Sequence, residues 1–513
     1  MCFTREFSRR TMLAMGAGAA SALRLPRQAF GMNQPGMVQE DADELIIDLA
    51  AEPATLDPAL IYEVDGWSIG HSVYDALVQL GPGGSFELVL AESLTQPDPL
   101  TWEIRLRPEI VFHNGEPLDA ESVKFSIAHI LDPETKSQIA GNFQVIDEVE
   151  AVDPLTVRLH LSAPAPWLPS QMAPWLALLP PVYASDPAND FANNPVGTGP
   201  YRFVQWDRGS KVQLERNSDY FGGGAKGQPI AANVTFRFVS DRTTRVTDLV
   251  SGTSQLVRGV PVDQVEVVAE TAEVIAQPIA GCAFVRIPTD VAPFDDPRVR
   301  LALNHAVDVD AIIAALIGGN GAHLANFFVP DSLGFDAELT PHAYDPELAK
   351  QLISEAGYAD GFVTRLAYTP GDQIDQVEAI AGQLGAVGIV VELEPVELTT
   401  FNATWKDPEA APLRLLTWRP LNDPFTLLNL LVSKNGFLSR YDNPEAQALL
   451  DAAAIEDDTE ARNLAYQQLG RVLHGSPAAI YLWNLTSLYG VARDAPPWTP
   501  RGDDWILPLV VED

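Results

Sequence analysis

Apolar and polar residues alternate strictly in Thr101-Trp-Glu-Ile-Arg-Leu106 and in Thr156-Val-Arg-Leu-His-Leu161. A period of two puts Trp102, Ile104 and Leu106 on one face, and Val157, Leu159 and Leu161 likewise, which predicts two half-buried strands. Residues 44–49, Glu-Leu-Ile-Ile-Asp-Leu, read as an earlier strand. The period changes to that of a helix over residues 120–131, with Asp119 placed to cap it and Asp132-Pro133 to stop it. Asp295-Asp296-Pro297 opens a helix expected to run to about Leu316 and to close at Gly318-Gly319. Asp345-Pro346-Glu347 opens another. Its Leu348, Leu352 and Ala356 recur every fourth residue, and Gly357 fits the C-terminal cap. A helix over 375–384 and a strand over 389–394 follow. The Pro-rich stretches 163–169 and 179–187 read as irregular connections. A strand-rich first part thus meets a second part in which helices and strands alternate, which predicts an α/β fold.

The N-terminus carries a different pattern. Arg9 and Arg10 precede an apolar run from Met12 to Leu23. A helix that spans a bilayer needs roughly 20 apolar residues, and this run is shorter. A basic start, a short apolar stretch and Ala20-Ser21-Ala22 as an A-x-A cleavage site make an export signal. Ser8-Arg9-Arg10-Thr11-Met12-Leu13 resembles the twin-arginine signal, with Met12 where that motif usually has Phe. Residues 1–35 are therefore expected to direct export and are set apart from the fold. The expected location is the periplasm, as a soluble protein.

The 513 residues allow two or three domains beyond that segment. The chain holds 33 basic and 69 acidic residues, a net charge of −36. Five of the arginines and one glutamate fall in the first 30 residues, so the remainder is near −40. Such a field repels nucleic acid and anionic lipid. Cys2 lies in the signal and Cys282 is the other cysteine, so no internal disulfide is expected in the exported chain. The apolar surroundings of Cys282 predict a buried, unreactive thiol.

Motifs for chemistry are missing from the sequence. It contains no H-E-x-x-H, no G-x-S-x-G and no G-x-x-x-x-G-K-[ST]. Gly222-Gly-Gly-Ala-Lys226 has the wrong spacing for a phosphate loop and reads as a turn. The eight histidines, at 71, 113, 129, 160, 305, 323, 342 and 474, stand singly. No metal, cofactor or catalytic set is therefore expected.

Several longer segments share a resemblance. They are PATLDPAL at 53–60, VYDALVQL at 73–80, and LAESLTQPDPLTWEIRLRPEIVFHNGEPLDAESVKFS at 90–126 with its FH-x-G-x-P-x-x-A-x-x-V core. VGTGPYRFVQWDRGSKVQLERNSDYF at 196–221, PFDDPRVRLALNHAVDVDAI at 293–312 and YDPELAKQLISEAGYADG at 344–361 complete the set. In this order, over roughly residues 40–500, the chain resembles solute-binding protein family 5 of bacterial ABC importers, which bind dipeptides, oligopeptides and nickel. Read physically, these residues are architectural. The two glycines of GTGPY suit a tight turn, and FHNGEP suits a turn between strand and helix.

The resemblance implies a two-lobed periplasmic binding protein fold of type II, with an extra subdomain in the first lobe. It places the core of that lobe at 43–82, 195–283 and 479–513, the subdomain at 83–194 and the second lobe at 284–478. It implies capture of a peptide or other small polar solute between the lobes, and delivery to an inner-membrane ABC permease. On this reading the protein is a monomer and not an enzyme. A secreted hydrolase and a chaperone-like module on the same scaffold are the alternatives. The family's pocket segments map to Tyr62, Asp65 and Trp67, and to Trp418, Arg419 and Asp423. Asn326 and Phe327 are further candidates. In peptide-binding relatives an aspartate three residues after the tryptophan pairs with the ligand amine. Here that position is Leu421, and Arg419 offers instead a partner for an anion.

Overall fold

The computed structural model describes residues 42–81, 85–371, 373–419 and 423–510. The expectations on Cys2, Arg9, Arg10, Ala20-Ser21-Ala22 and Leu421 lie outside the described residues. The alternating segments form neighbouring strands of a four-stranded antiparallel sheet, in the order Ala91–Asp98, Thr101–Leu106, Thr156–Leu161, Ile146–Asp153. The apolar set Trp102, Ile104, Leu106, Val157, Leu159 and Leu161 is buried, as the period requires. The helix Ala120–Leu131 packs on this sheet. The Asp119 carboxylate accepts from the backbone N–H of Glu121 and Ser122 at 3.0 and 3.2 Å, and Asp132 ends the helix.

A ten-stranded sheet runs through the rest of the molecule. Two long antiparallel strands, Ala272–Arg286 and Ala479–Ala492, form its middle. Their register shifts between Pro278 and Cys282. On one side of this irregularity Tyr489–Val491 pairs with Leu256–Arg258, beyond which lie Ala42–Leu49, Ala231–Phe238, Lys211–Arg216 and Tyr201–Asp207. On the other side Cys282–Arg286 pairs with Leu413–Trp418, followed by Phe362–Tyr368 and Ile389–Pro395. The Asn484 amide donates to the carbonyls of Ile279 and Gly281 at 2.8 and 2.9 Å, which satisfies backbone groups that the ladder leaves free there.

The cores divide at the same place. One apolar cluster draws on residues from Leu45 to Leu256 and from Tyr489 to Leu509. Two others draw on residues between Cys282 and Trp483 and cover opposite faces of the second part of the sheet. Cys282 and Phe284 point to one face, Ala283 and Val285 to the other. The result is two lobes joined through a pair of strands. Burial pushes the Cys282 thiol well above its ordinary range, so it stays protonated.

Three local expectations need correction. The helix expected from Pro297 to about Leu316 is two helices, Pro297–Ala306 and Val309–Leu316. Asp308 leaves helical geometry, and its carboxylate accepts from the Ala311 N–H at 3.0 Å, so it caps a second helix. The Pro-rich connections contain the helices Leu168–Trp175 and Pro181–Ser185. Their prolines sit largely in first turns, where the missing N–H has no intrahelical partner to lose. Gly197 and Gly199 serve close approach rather than a turn. A Cβ on them would lie 2.1 and 2.5 Å from the Val73 carbonyl oxygen. The 222–226 segment is indeed a turn, ending in a short 3-10 helix. Its Lys226 is buried and donates to the Asp75 carboxylate at 2.5 Å. Among the described residues, no helix is long and apolar enough to cross a membrane.

Candidate functional site

Between the lobes lies a cavity of about 520 Å³, within the range of small-molecule sites. Aromatic side chains dominate its wall. Trp67, Trp167, Trp175, Trp418 and Trp505, five of the chain's ten tryptophans, line it together with Tyr62 and Phe425. Gln138, Asn142, Gln171, Thr426 and Asn429 add amides and a hydroxyl. Arg419 is the only basic side chain lining it among the described residues, and Asp503, paired with Arg501 at 2.7 Å, is the acidic one.

The first-lobe wall is a braced aromatic stack. Trp67 lies on the helix Val64–Val73, and its indole N–H donates to the Ile61 carbonyl at 3.0 Å. His71, one turn later, has its ring 4.7 Å from Trp67 and 4.1 Å from Trp505. Burial holds the His71 pKa well below its ordinary value, so the ring stays neutral between its aromatic neighbours. Trp175 packs edge-on against Trp67 at 5.6 Å and parallel to Tyr62 at 6.3 Å. On the facing wall, Phe425 and Thr426 begin the helix Pro424–Leu431. They meet the first lobe directly: Trp167 stacks on Phe425 at 4.9 Å, and Gln171 Nε2 donates to Thr426 Oγ1 at 3.0 Å.

Four of the residues expected from the sequence stand at this cavity: Tyr62, Trp67, Trp418 and Arg419. The others stand elsewhere. Asp423 is only 4% exposed. It accepts from the Phe425 N–H at 2.8 Å and from Arg462 at 2.6 Å, inside the second lobe. Burial raises its pKa and Arg462 opposes that shift. It therefore caps the helix that carries Phe425 and Thr426, and does not line the cavity. Asp65 is buried, accepts from the Ala51 N–H at 2.9 Å and pairs with Arg258. Asn326 is buried and holds the Phe328 N–H at 2.8 Å, while Phe327 packs edge-on against Phe284 and Tyr481 in the second-lobe core.

Sequence reasoning missed Trp167, Gln171, Trp175, Phe425, Thr426 and Trp505. The Asp423-Pro424 pair was a readable helix start and could have placed Phe425 and Thr426 on a first turn. Nothing local marks the others.

Arg419 does not stand alone. Its guanidinium pairs with Asp504, which lies across the lobe junction and is fully buried. Asp504 also accepts from Ser487 Oγ at 2.5 Å and from the Tyr489 hydroxyl at 2.7 Å, and Arg258 lies 3.5 Å away. Burial works against the Arg258 charge, but Asp65 and Asp504 outweigh it, so its pKa rises. The chain Asp65–Arg258–Asp504–Arg419 thus ends with its last cation at the cavity. Among the described residues, no group of three or more His, Cys, Asp or Glu is arranged to hold a metal ion.

The family model for bacterial extracellular solute-binding proteins, family 5 Middle, matches residues 85–439. The glutathione-binding protein GsiB of Pectobacterium atrosepticum is 30% identical over 362 residues, covering 69% of this chain and 70% of that protein. DppA, an ABC transporter-associated periplasmic binding protein from Helicobacter pylori in complex with the peptide STSA, matches with a TM-score of 0.74. Its identity is 25%, over 88% of this chain and 94% of that one. The binding protein AgaA from A.tumefacien R10, in complex with agropinic acid, matches with a TM-score of 0.73 and 26% identity, over 88% of this chain and 93% of that one. The two lobes joined by paired strands are therefore the type II periplasmic binding protein architecture, and the chain belongs to the bacterial extracellular solute-binding proteins of family 5.

Proposed function

We propose that this solute-binding component of an ABC importer captures a short peptide or peptide-like solute carrying an anionic group. The interlobe cavity encloses the solute, and an inner-membrane permease receives it. The protein works in the periplasm after export by the twin-arginine route, as a monomer, without catalysis and without nucleic acid.

The observation that carries the reading is Arg419, the single basic side chain lining the cavity among the described residues. Its present partner, Asp504, keeps donors from Ser487 and Tyr489 and the nearby Arg258 if Arg419 turns to a ligand. A ligand carboxylate can therefore take the guanidinium without leaving a buried carboxylate unpartnered, which would be costly. The aromatic walls suit the flat amides and apolar parts of a peptide-like body, and the Gln, Asn and Thr groups suit its polar edges. The relatives named for glutathione and agropinic acid bind acidic solutes, which supports the same reading.

Native mass spectrometry of the purified protein identifies a retained solute, and calorimetry then measures its affinity. Replacing Arg419 by alanine should weaken binding about 10- to 100-fold, since a hydrogen bond to a charged group contributes about 1.5–3 kcal/mol. A neutral solute whose affinity is the same in Arg419→Ala rules the anion reading out.

A further inference from the structure

The strand Leu413–Trp418 has a second cavity on its other face. Trp418 lines the interlobe cavity already described, whereas Leu415 and Thr417 line a separate space of about 410 Å³. It too lies between the lobes, on the reverse side of the connecting strands. The first lobe supplies Arg242, Arg245 and Arg258 to its wall, and the second lobe supplies Asn320, Gln373 and Gln376. Arg419 borders both cavities.

In a chain with 33 basic residues against 69 acidic ones, such a gathering of arginines runs against the overall charge. Arg242 has a partner of its own, and Arg258 and Arg419 have carboxylate partners in Asp65 and Asp504. Arg245 has none within ion-pair distance among the described residues. It is only 5% exposed, and its Nη1 donates to the carbonyls of Val239 and Ser240 at 2.7 and 3.0 Å. Its buried Nε has no hydrogen-bond partner. Asp65 and Asp48 lie near enough to favour the Arg245 charge but neither forms an ion pair with it, so a buried guanidinium with an unused donor has room for a directly paired anion. Across the cavity, the helix Ile374–Ala386 begins at Gln373, whose side chain makes no cap. The positive end of a helix dipole adds to the same preference. The exposed Asp375 in that first turn and the Asp65 and Asp504 carboxylates behind Arg258 are the opposing charges.

We propose that this reverse-side cavity binds a small multivalent oxyanion of the phosphate or carboxylate type, held by Arg245 with Gln373 and Gln376. The anion touches both lobes. It therefore favours the lobe arrangement described here, and by linkage it is coupled to capture of the solute on the opposite side. The binding itself does not depend on the proposed solute.

The test uses the full chain at fixed ionic strength, with sodium chloride replaced stepwise by inorganic phosphate in one series and by citrate in another. Thermal unfolding should rise saturably with at least one of them, and calorimetry should show one site per chain. The stronger of the two identifies the oxyanion class. Arg245→Gln should weaken the response at least tenfold. Gln376→Glu, a conservative change on a half-exposed helix position, should do the same by placing a carboxylate opposite Arg245. Trp418→Ala, on the other face, should leave the anion response in place even where solute binding is lost. No saturable response in the wild type to either anion, or an equal response in Gln376→Glu, overturns the proposal.

Discussion

His305, His342 and His474 stand singly in the sequence, yet the fold brings them together. The His342 and His474 rings stack at 3.9 Å, and His305 meets His342 edge-on at 5.1 Å. His342 Nε2 lies 3.2 Å from the His474 carbonyl. Burial, reinforced by the neighbouring histidines, lowers the His342 pKa to about 3. The unfolded chain takes up its proton near the ordinary value of about 6.5. Between those values the unfolded state binds more protons, so stability is full above about pH 6.5 and falls as pH drops through the window. Urea unfolding at pH 7 and pH 5 measures this. The stability difference between wild type and His342→Gln should shrink by about 1–2 kcal/mol at the lower pH. A difference that does not change with pH shows that the ring titrates normally. The same limit on local reading explains the carboxylates of the site. Asp65 and Asp423 looked like ligand groups because their partners, Arg258 and Arg462, are distant in sequence. Residue type alone does not say whether a carboxylate faces a solute or an arginine.

At the scale of elements, period and caps carried most of the information. The strands Thr101–Leu106 and Thr156–Leu161 and the helix Ala120–Leu131 occupy the residues their patterns predict. Asp345 caps Pro346–Glu355 through the Leu348 N–H at 2.9 Å, and Gly357 follows at φ +95°. The helix Leu168–Trp175 was not legible, because eight residues with two prolines show no helical period. It is the element that brings Gln171 and Trp175 to the cavity, so most of one wall was hidden with it. The GTGPY segment was legible as structure but not in its reason. Gly199 N–H donates to the Val73 carbonyl at 2.9 Å, and the backbones press together. A methyl group there meets backbone rather than a movable side chain. Gly199→Ala should therefore cost about 3 kcal/mol, at the upper end of overpacking effects. Thermal unfolding reads this directly, and a change below about 0.5 kcal/mol, the level of neutral surface substitutions, shows that the contact relaxes.

At the scale of the molecule, the family resemblance implied two lobes, but no residue pattern marked what holds them together over the cavity. The two long strands provide a connection whose regular pairing is interrupted between Pro278 and Cys282. Bending concentrates where ladder bonds are fewest, so this place is the expected hinge between the lobes. What opposes opening on the cavity side includes the Gln171–Thr426 hydrogen bond, the Trp167–Phe425 stack and the Arg419–Asp504 pair. A neutral hydrogen bond and an aromatic pair contribute about 1 kcal/mol each, together about 2 kcal/mol. That is a factor of about 30 in an open–closed equilibrium, enough to change which state dominates. Small-angle scattering of the free protein should therefore give a larger radius of gyration for the Gln171→Ala/Phe425→Ala double variant than for the wild type. Because no solute is present in that comparison, lost ligand contacts cannot produce the difference. Saturating solute should compact the wild type further or leave it at its smallest dimension, and should compact the double variant only at higher concentration. If the wild type and the double variant share one radius of gyration, both free and with binding confirmed by calorimetry, the lobes do not move about the Pro278–Cys282 irregularity.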